Sequence, residues 1–460
     1  MPTLSPPIPS DFAAAVEHLL QHPQGPYPQT WEDMQLARER PVSQLLDHAL
    51  ALLEAEHPLL ARSLRLRYLE GMTIRNVGRR LHRAPASVHR DLKAARDHLA
   101  RILWDLECRA RDEFIQQQQQ RLEPSTYDRL FGVDELAQSL QQQLQQPSGP
   151  VMMLLTGVGG LGKTSLADYL SRKLISDRAF HGFGWISLRP QVSLWDARPH
   201  FMAASPEQAL ADIFESLGRQ LLGPEAIPAP FSLDAFLPRL RRLLRQTPHF
   251  IVIDNLETLE PIPSLLEIIR SMTSPTRFLF TSRVSLPHQP NLYHQRVPPL
   301  SSTAALALLR HEGETRNIMA LNQASEAELA QIYQVVGGNP LALKLVAGQL
   351  LIHPLHTLLD DLAQARGRSI QRLYDFIYQR AWQSLNAAAQ QVLLAMILLP
   401  PTGGTRQQLE AITQLDGGVV HDALDVLVQR NLIDYHPLAT PGLYTIHSLT
   451  RTFLQQIARR

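Results

Sequence analysis

A complete phosphate-loop pattern near the middle of this chain of 460 residues constrains its fold more than any other feature. Residues 157–164 read GVGGLGKT, which is the spacing Gly-x-x-x-x-Gly-Lys-Thr. The apolar run Val151 to Leu155 before it predicts a buried strand, and the residues from Ser165 onward predict a helix. Such a loop turns its N–H groups and a helix N-terminus toward phosphate oxygens. The sequence therefore predicts a parallel α/β domain that binds a nucleoside triphosphate.

Side-chain chemistry predicts roles around this loop. Lys163 supplies a cation for the β- and γ-phosphates, and the hydroxyl of Thr164 can ligate Mg²⁺. The apolar run from His249 ends at Asp254, where a carboxylate at the edge of a parallel sheet holds Mg²⁺ through water. A second apolar run ends at Arg283, which could sense the γ-phosphate or be a surface arginine at a strand end. Within the loop, the predicted nucleotide contacts are Gly157, Gly159, Gly160, Leu161, Gly162, Lys163, Thr164 and Ser165.

Composition limits the compartment and the class of protein. The single cysteine, Cys108, excludes a disulfide framework and suits a reducing cytosol. The longest apolar run, Val392 to Leu399, is too short to cross a bilayer. The Pro-rich N-terminus lacks the basic and apolar segments of a signal peptide. We therefore expect a cytoplasmic protein with no membrane partner.

A basic segment near the N-terminus predicts a second function. Between Arg62 and Arg101, eleven Lys and Arg stand against three acids, so this segment carries +8 within a chain of net charge +1. Its apolar spacing, with Gly78 at a helix crossing, is that of a helix-turn-helix. The segment resembles sigma-factor region 4 over about fifty residues. That resemblance implies that Ser87, His89, Arg90 and Lys93 face the major groove and that Arg75, Arg79, Arg80 and Arg83 contact phosphates. The alternative is a helical adaptor whose basic face contacts a protein.

The order of motifs over residues 127–455 resembles the NB-ARC branch of the STAND class (signal transduction ATPases with numerous domains). The run LFGVDE, from Leu130, resembles the family motif that packs against adenine, which implies that Phe131, Gly132 and Val133 contact the nucleotide. The run GGNPLAL resembles the motif whose proline presses on adenine, which implies a contact from Pro340. The run GLYTIHSL resembles the closing strand of the family's winged helix, and His447 stands where the family histidine reaches the β-phosphate of ADP.

The resemblance implies a mechanism. Glu257 is the acid near Asp254 that could polarise water, and slow ATP hydrolysis is expected. The predicted catalytic group is thus Lys163, Asp254, Glu257 and Arg283, with ATP or ADP and Mg²⁺ as cofactors and Thr164 and Asp254 as metal contacts. ADP would clamp the closed monomer, whereas exchange for ATP would permit self-association. Family members usually end in a repeat-built sensor, and since this sequence stops at Arg460, a separate sensor or a truncated form is expected.

The fold class predicted is multidomain, α/β plus α. The predicted parts are a Pro-rich segment at 1–40, a helix-turn-helix domain at 41–115, a Gln-rich linker at 116–129, a P-loop domain at 130–290, a helical domain at 291–370 and a winged-helix domain at 371–460. Two alternative functions stay open. The N-terminal domain could recruit an effector protein in a defence or death-like switch, or the chain could be an origin-recognition-type AAA+ ATPase.

Overall fold

The computed structural model describes residues 7–188, 205–259, 262–286, 289–364, 378–400, 402–436 and 441–458. By its internal contacts the chain divides into two compact units, Met1–Gln119 and Gln120–Arg460. The first unit is helical, and the second contains a parallel sheet followed by helices. This architecture confirms the predicted fold class of α/β plus α. Among the described helices, none is long and apolar enough to cross a membrane.

The described part of the first unit, residues 7–119, contains six α-helices around one core. They are α1 (Ser10–Gln21), α2 (Gln35–Glu39), α3 (Val42–Glu56), α4 (Pro58–Leu64), α5 (Ile74–Leu81) and α6 (Pro85–Gln119). The buried residues of α1 recur with helical spacing, and Phe12 stacks on Trp31 with ring centroids 4.2 Å apart and meets Trp104 edge-on at 5.0 Å. The buried carboxylate of Glu107 accepts hydrogen bonds from the backbone N–H groups of Gln35 and Leu36, which fixes the start of α2 against α6.

Two of the predicted domain boundaries in this part of the chain differ from those in the structure. The segment 1–40 was predicted as a separate Pro-rich stretch, yet Phe12 and Trp31 lie in the same core as α3 and α6. The linker was predicted to begin at residue 116, whereas α6 continues to Gln119. Pro9, Pro28 and Pro41 lie at the starts of helical elements, so they do not prevent α1 from burying its apolar face.

Helices α5 and α6 form the predicted helix-turn-helix. Thr73 caps α5 through its hydroxyl, and α5 ends at His82, which has the left-handed φ of 54°. Gly78 permits the crossing, because a Cβ there would lie 2.7 Å from the carbonyl oxygen of Arg83. Val77 and Val88 fill the angle between the helices and are fully buried.

The second unit opens with a five-stranded parallel sheet. The strands are β1 (Met152–Thr156), β2 (Gly182–Ser187), β3 (His249–Asp254), β4 (Arg277–Ser282) and β5 (Leu292–Arg296), in the spatial order β2-β3-β4-β1-β5. The helices of this part are α7 (Asp134–Gln145), α8 (Lys163–Ser176), α9 (Pro206–Leu222), α10 (Leu233–Gln246) and α11 (Ile262–Arg270). Strands β1 to β4 are buried runs, as expected of a sheet covered on both faces. Because β5 pairs with β1, the sheet extends beyond the predicted boundary at residue 290.

Helices dominate the remainder of the second unit. We call residues 302–364 the helical segment and the described residues of 378–458 the C-terminal segment. The former holds α12 (Ser302–Thr315), α13 (Met319–Gln323), α14 (Glu326–Val336), α15 (Pro340–Gln349) and α16 (Leu355–Gln364). The latter holds α17 (Ala387–Ala395), α18 (Arg406–Thr413), α19 (Gly417–Gln429), β6 (Asp434–His436), β7 (Leu443–Thr445) and α20 (Ser448–Ala458), with β6 and β7 antiparallel. The predicted boundary at residue 370 lies outside the described residues.

Candidate nucleotide site and basic helix-turn-helix face

The phosphate loop follows β1 and leads directly into α8. Three of its glycines, Gly157, Gly160 and Gly162, have φ values of 154°, 80° and 85°. These are backbone conformations that side chains disfavour, so glycine is required to curl the chain. The result is the strand-loop-helix arrangement predicted from the sequence, with the N-terminus of α8 beginning at Lys163.

Lys163 is turned back onto its own loop. Its Nζ donates to the carbonyl oxygens of Gly157 at 2.8 Å and Val158 at 3.0 Å. Burial lowers the pKa of Lys163 to about 8, with the Arg283 charge acting in the same direction and Glu257 and Asp254 opposing it. A weakly solvated ammonium held at the mouth of the loop is suited to receive phosphate oxygens.

The carboxylate of Asp254 is the centre of a buried hydroxyl cluster. Its Oδ1 accepts from the hydroxyls of Thr164 at 2.7 Å and Thr281 at 2.6 Å, and its Oδ2 accepts from the amide of Asn255 at 2.8 Å. The side chains of Thr164 and Asp254 are therefore adjacent. A hydroxyl and a carboxylate beside a phosphate loop are the hard oxygen ligands that Mg²⁺ takes together with substrate phosphates, so the residues fit that ion. Thr281 was not predicted, although the polar end of its strand was a signal.

Glu257 and Arg283 form a pair at the same edge of the sheet. Arg283 Nε lies 3.2 Å from Oε1 of Glu257, and the backbone N–H of Arg283 donates to Oε2 at 3.2 Å. Asn255, between the two acids, has the left-handed φ of 62° and donates its N–H to the hydroxyl of Thr281. Both oxygens of Glu257 are thus held by Arg283.

A single cavity of the second unit joins most of the predicted contacts. Of the predicted residues, those lining it are Phe131, Val133, Gly159, Gly160, Leu161, Gly162, Lys163, Thr164, Ser165, Arg283, Pro340 and His447. Gly132, Gly157, Asp254 and Glu257 are not among the residues that line it. Gly132 packs tightly, because a Cβ there would lie 2.6 Å from the Cβ of Ala304 on α12. The lining also includes residues that the sequence analysis missed, namely Tyr127, Leu308, Lys344, Asn431 and Asp434.

The residues before α7 form one part of the wall of this cavity. The guanidinium of Arg129 lies 5.1 Å from the ring centroid of Phe131, and the ring of His311 lies 5.4 Å away. His311 Nε2 lies 2.8 Å from the carboxylate of Asp128. Phe131 is therefore fixed between a cation and a ring of the helical segment, where an aromatic face can pack beside a base.

Two later parts of the chain contact the phosphate loop itself. Asn339 Nδ2 donates to the carbonyl oxygen of Gly159 at 2.9 Å, while its Oδ1 caps α15. Leu449, in the C-terminal segment, packs on Gly159. A Cβ added at Gly159 would lie 3.1 Å from the side chain of Leu449. His447 Nδ1 accepts the backbone N–H of Leu449 at 3.1 Å, so a neutral ring carries its proton on Nε2. The P-loop is thus covered by both following segments.

The basic face of the helix-turn-helix belongs to the first unit. Seven of the eight predicted DNA contacts are exposed, namely Arg75, Arg79, Arg80, Arg83, His89, Arg90 and Lys93. Ser87 is half-buried at the start of α6. Arg83 lies 3.7 Å from Asp91, so part of its charge is balanced within the motif. The face remains strongly basic and open to solvent.

Two family models match the chain. Residues 145–295 match an AAA domain, and residues 31–105 match an ECF sigma factor. The latter match begins before residue 41, consistent with the packing of the earlier helices into the same core.

Curated relatives match at about one-quarter identity. The regulatory protein AfsR of Streptomyces coelicolor is 25% identical over 332 residues, covering 69% of this chain and 30% of the relative. A probable disease resistance protein of Arabidopsis thaliana is 25% identical over 231 residues, covering 49% and 24%. A WD repeat-containing protein of Nostoc is 25% identical over 235 residues, covering 48% and 18%. The matched regions are less than a third of these relatives' own lengths.

Solved structures give a more distant likeness. A STAND protein with a tetratricopeptide repeat sensor from Pyrococcus horikoshii aligns with a TM-score of 0.46 and 14% identity, over 73% of this chain and 43% of that one. The ORC1 protein of Aeropyrum pernix, solved with DNA, aligns with a TM-score of 0.34 and 15% identity, over 73% and 95%. The domain matches agree with the expected resemblance: residues 145–295 are similar to an AAA-type P-loop domain, and residues 31–105 are similar to an ECF sigma factor.

Proposed function

We propose that this P-loop ATPase is a switch gated by exchange of ADP for ATP and coupled to a DNA-binding head. The observation that carries the proposal is the shared cavity, in which the phosphate loop, Pro340 and His447 line one space. These parts are separated by more than a hundred residues of sequence each. A ligand filling that space contacts all three and therefore couples their positions.

Each predicted residue has a role within this proposal. Lys163 binds the β- and γ-phosphates, while Thr164 and Asp254 hold Mg²⁺, which supplies positive charge to the phosphate oxygens. Glu257 orients the attacking water once Arg283 turns toward the γ-phosphate. Since both oxygens of Glu257 are held by Arg283, hydrolysis is slow and the bound nucleotide sets the lifetime of each state. Phe131, Val133 and Pro340 enclose the base.

The switch itself depends on a difference in affinity. His447 lines the cavity from the C-terminal segment and donates from Nε2 to the β-phosphate of ADP. A nucleotide shifts an equilibrium only by as much as it prefers one state. ADP favours the closed state through this contact, whereas ATP favours an open state in which the C-terminal segment, a winged helix in this proposal, has moved away. The open form associates with other copies and with a sensor or effector protein.

The output of the switch is DNA binding by the first unit. The exposed arginines of α5 and the start of α6 form the basic face that the helix-turn-helix places beside a major groove. The match to an ECF sigma factor over residues 31–105 supports this assignment. The competing role, recruitment of an effector protein, requires no salt-sensitive DNA affinity, so one experiment decides between them.

That experiment measures DNA binding by fluorescence anisotropy with the full chain at several salt concentrations. We expect the logarithm of the affinity to fall by about 0.9 per phosphate contact for each tenfold rise in salt. Arg79→Ala should lower the affinity for all DNA sequences alike, and Arg90→Ala should reduce the preference for one DNA sequence over another. The matched control is Arg109→Ala, which removes an exposed charge from α6 away from the motif. Absence of salt-sensitive binding would favour the effector-recruiting role.

Nucleotide binding is tested by calorimetric titration with ATP and ADP. Lys163→Ala should abolish tight binding of both, because it removes the ammonium that the loop itself carries at its mouth. Lys173→Ala, on the exposed side of the same helix, should bind as the wild type does. Wild-type affinity in the Lys163 variant would reject the assignment of this loop.

A further inference from the structure

A buried ionic cluster lies where the helical segment meets the C-terminal segment. We call it the Glu312 cluster, after the carboxylate on α12 that is only 4% exposed. Oε2 of Glu312 accepts from Arg316 Nε at 2.8 Å and from Asn431 Nδ2 at 3.2 Å. Lys344 Nζ, on α15, lies 3.7 Å from Oε1. The cluster is formed by Glu312, Arg316, Lys344 and Asn431.

The bonds of this cluster run between the two segments. Asn431, which follows α19, donates a second hydrogen bond from Nδ2 to the backbone carbonyl of Lys344 at 2.8 Å. Arg316 donates from Nη1 to the carbonyl oxygen of Val428. The two segments also approach closely beside it, because a Cβ on Gly348 would lie 2.3 Å from the carbonyl oxygen of Arg430. The cluster therefore ties the end of α19 to α12 and α15.

The same residues reach the nucleotide cavity. Lys344 and Asn431 line it together with His447, although neither belongs to a motif recognised in the sequence. A carboxylate that is buried and bonded on both sides holds its partners in one geometry, because breaking such a bond leaves charge buried and unpaired. Glu312 itself is not among the residues lining the cavity, so it acts on the site through Lys344 and Asn431.

We propose that Glu312 is a positioning residue that holds the C-terminal segment in its closed place, independently of nucleotide. It is a second attachment, distinct from the contact of Leu449 with the phosphate loop. The inference rests on the proposed switch between closed and open states. It adds to that switch a second contact that must break before the C-terminal segment moves. The closed state persists while nucleotide exchanges, and opening requires both attachments to release.

The test compares hydrogen exchange of the full chain in the absence of nucleotide. Glu312→Gln removes the charge at nearly constant shape. Asn431→Gly removes the amide yet suits the left-handed φ of 57° at that position. Glu314→Gln changes an exposed glutamate on the same helix and serves as the control. We expect exchange over residues 426–436 to rise by about ten- to a hundred-fold in the first two variants. Exchange over α14 should stay unchanged, as should all exchange in the control.

Two outcomes would overturn the proposal. If Asn431→Gly leaves exchange over 426–436 at the wild-type rate, the cluster does not hold the segment. If exchange rises equally over α14, the cluster supports the core and is no local attachment. ADP affinity is then measured for the same variants and should fall in parallel with the local opening. The two proposals fail separately, because the hydrogen-exchange experiment contains no nucleotide. If the wild-type protein binds neither ATP nor ADP, the proposed function is rejected, and the exchange experiment still decides the role of Glu312.

Discussion

The protonation state of Lys163 gives the nucleotide site a pH dependence. Burial lowers the pKa of this ammonium to about 8, while phosphate oxygens favour its charged form and raise the pKa in the complex. Binding therefore takes up a proton, and affinity is highest below the free-protein pKa and falls as pH rises through it. We expect ADP affinity to drop roughly thirty-fold between about pH 7 and about pH 9.5. Titration calorimetry across this range, with Lys163→Arg as a comparison that stays charged, measures it. A flat profile in the wild type would contradict the site geometry.

Asp254 provides a second test at the scale of one residue. Asp254→Asn keeps an oxygen that can accept from Thr164 and Thr281 but removes the charge that attracts Mg²⁺. We expect ATP affinity in the presence of a chelator to stay near the wild-type value, while the gain on adding Mg²⁺ disappears. Undiminished enhancement by Mg²⁺ in the variant would show that the ion is held elsewhere.

Among the elements, the crossing of α5 and α6 depends on one glycine. Alanine normally stabilises a helix relative to glycine by about 1 kcal/mol. At Gly78 we expect the opposite, a loss of about 1–3 kcal/mol in the unfolding free energy, because the added Cβ meets the carbonyl oxygen of Arg83. Denaturant unfolding of Gly78→Ala measures this, with the exposed Asn76→Ala on the same helix as control. Equal stability of the two variants would contradict the packing described.

Local sequence patterns predicted some elements well and missed others for physical reasons. The phosphate loop and the helix-turn-helix were predictable because their chemistry is written in consecutive residues. Strand β5 was not, because it is a sheet edge whose residues are mostly partly exposed and polar. Lys344 and Asn431 reach the cavity only through packing of distant helices, so no local spacing marks them. In α1, apolar residues recur with helical spacing, so this helix was predictable despite the surrounding prolines, whereas its packing into the core with α3 and α6 was not.

At the scale of the whole molecule, the proposed switch depends on how the second unit closes over its own phosphate loop. Asn339 bonds the carbonyl oxygen of Gly159, and Leu449 packs on the same glycine. A nucleotide in this cavity would therefore contact segments that follow the sheet by more than forty residues of sequence. The central claim is that ADP, more than ATP, stabilises this closure, and that His447 is the source of the difference.

The most direct measurement is the pair of dissociation constants for ADP and ATP in wild type and His447→Ala. Loss of a charge-assisted hydrogen bond of about 1.5–3 kcal/mol should lower the affinity for ADP by roughly ten- to a hundred-fold and the affinity for ATP much less. His421→Ala, an exposed histidine on α19, should change neither constant. A selective loss of ADP affinity is the result this account predicts. Equal weakening of both nucleotides, or no change in either, would contradict it.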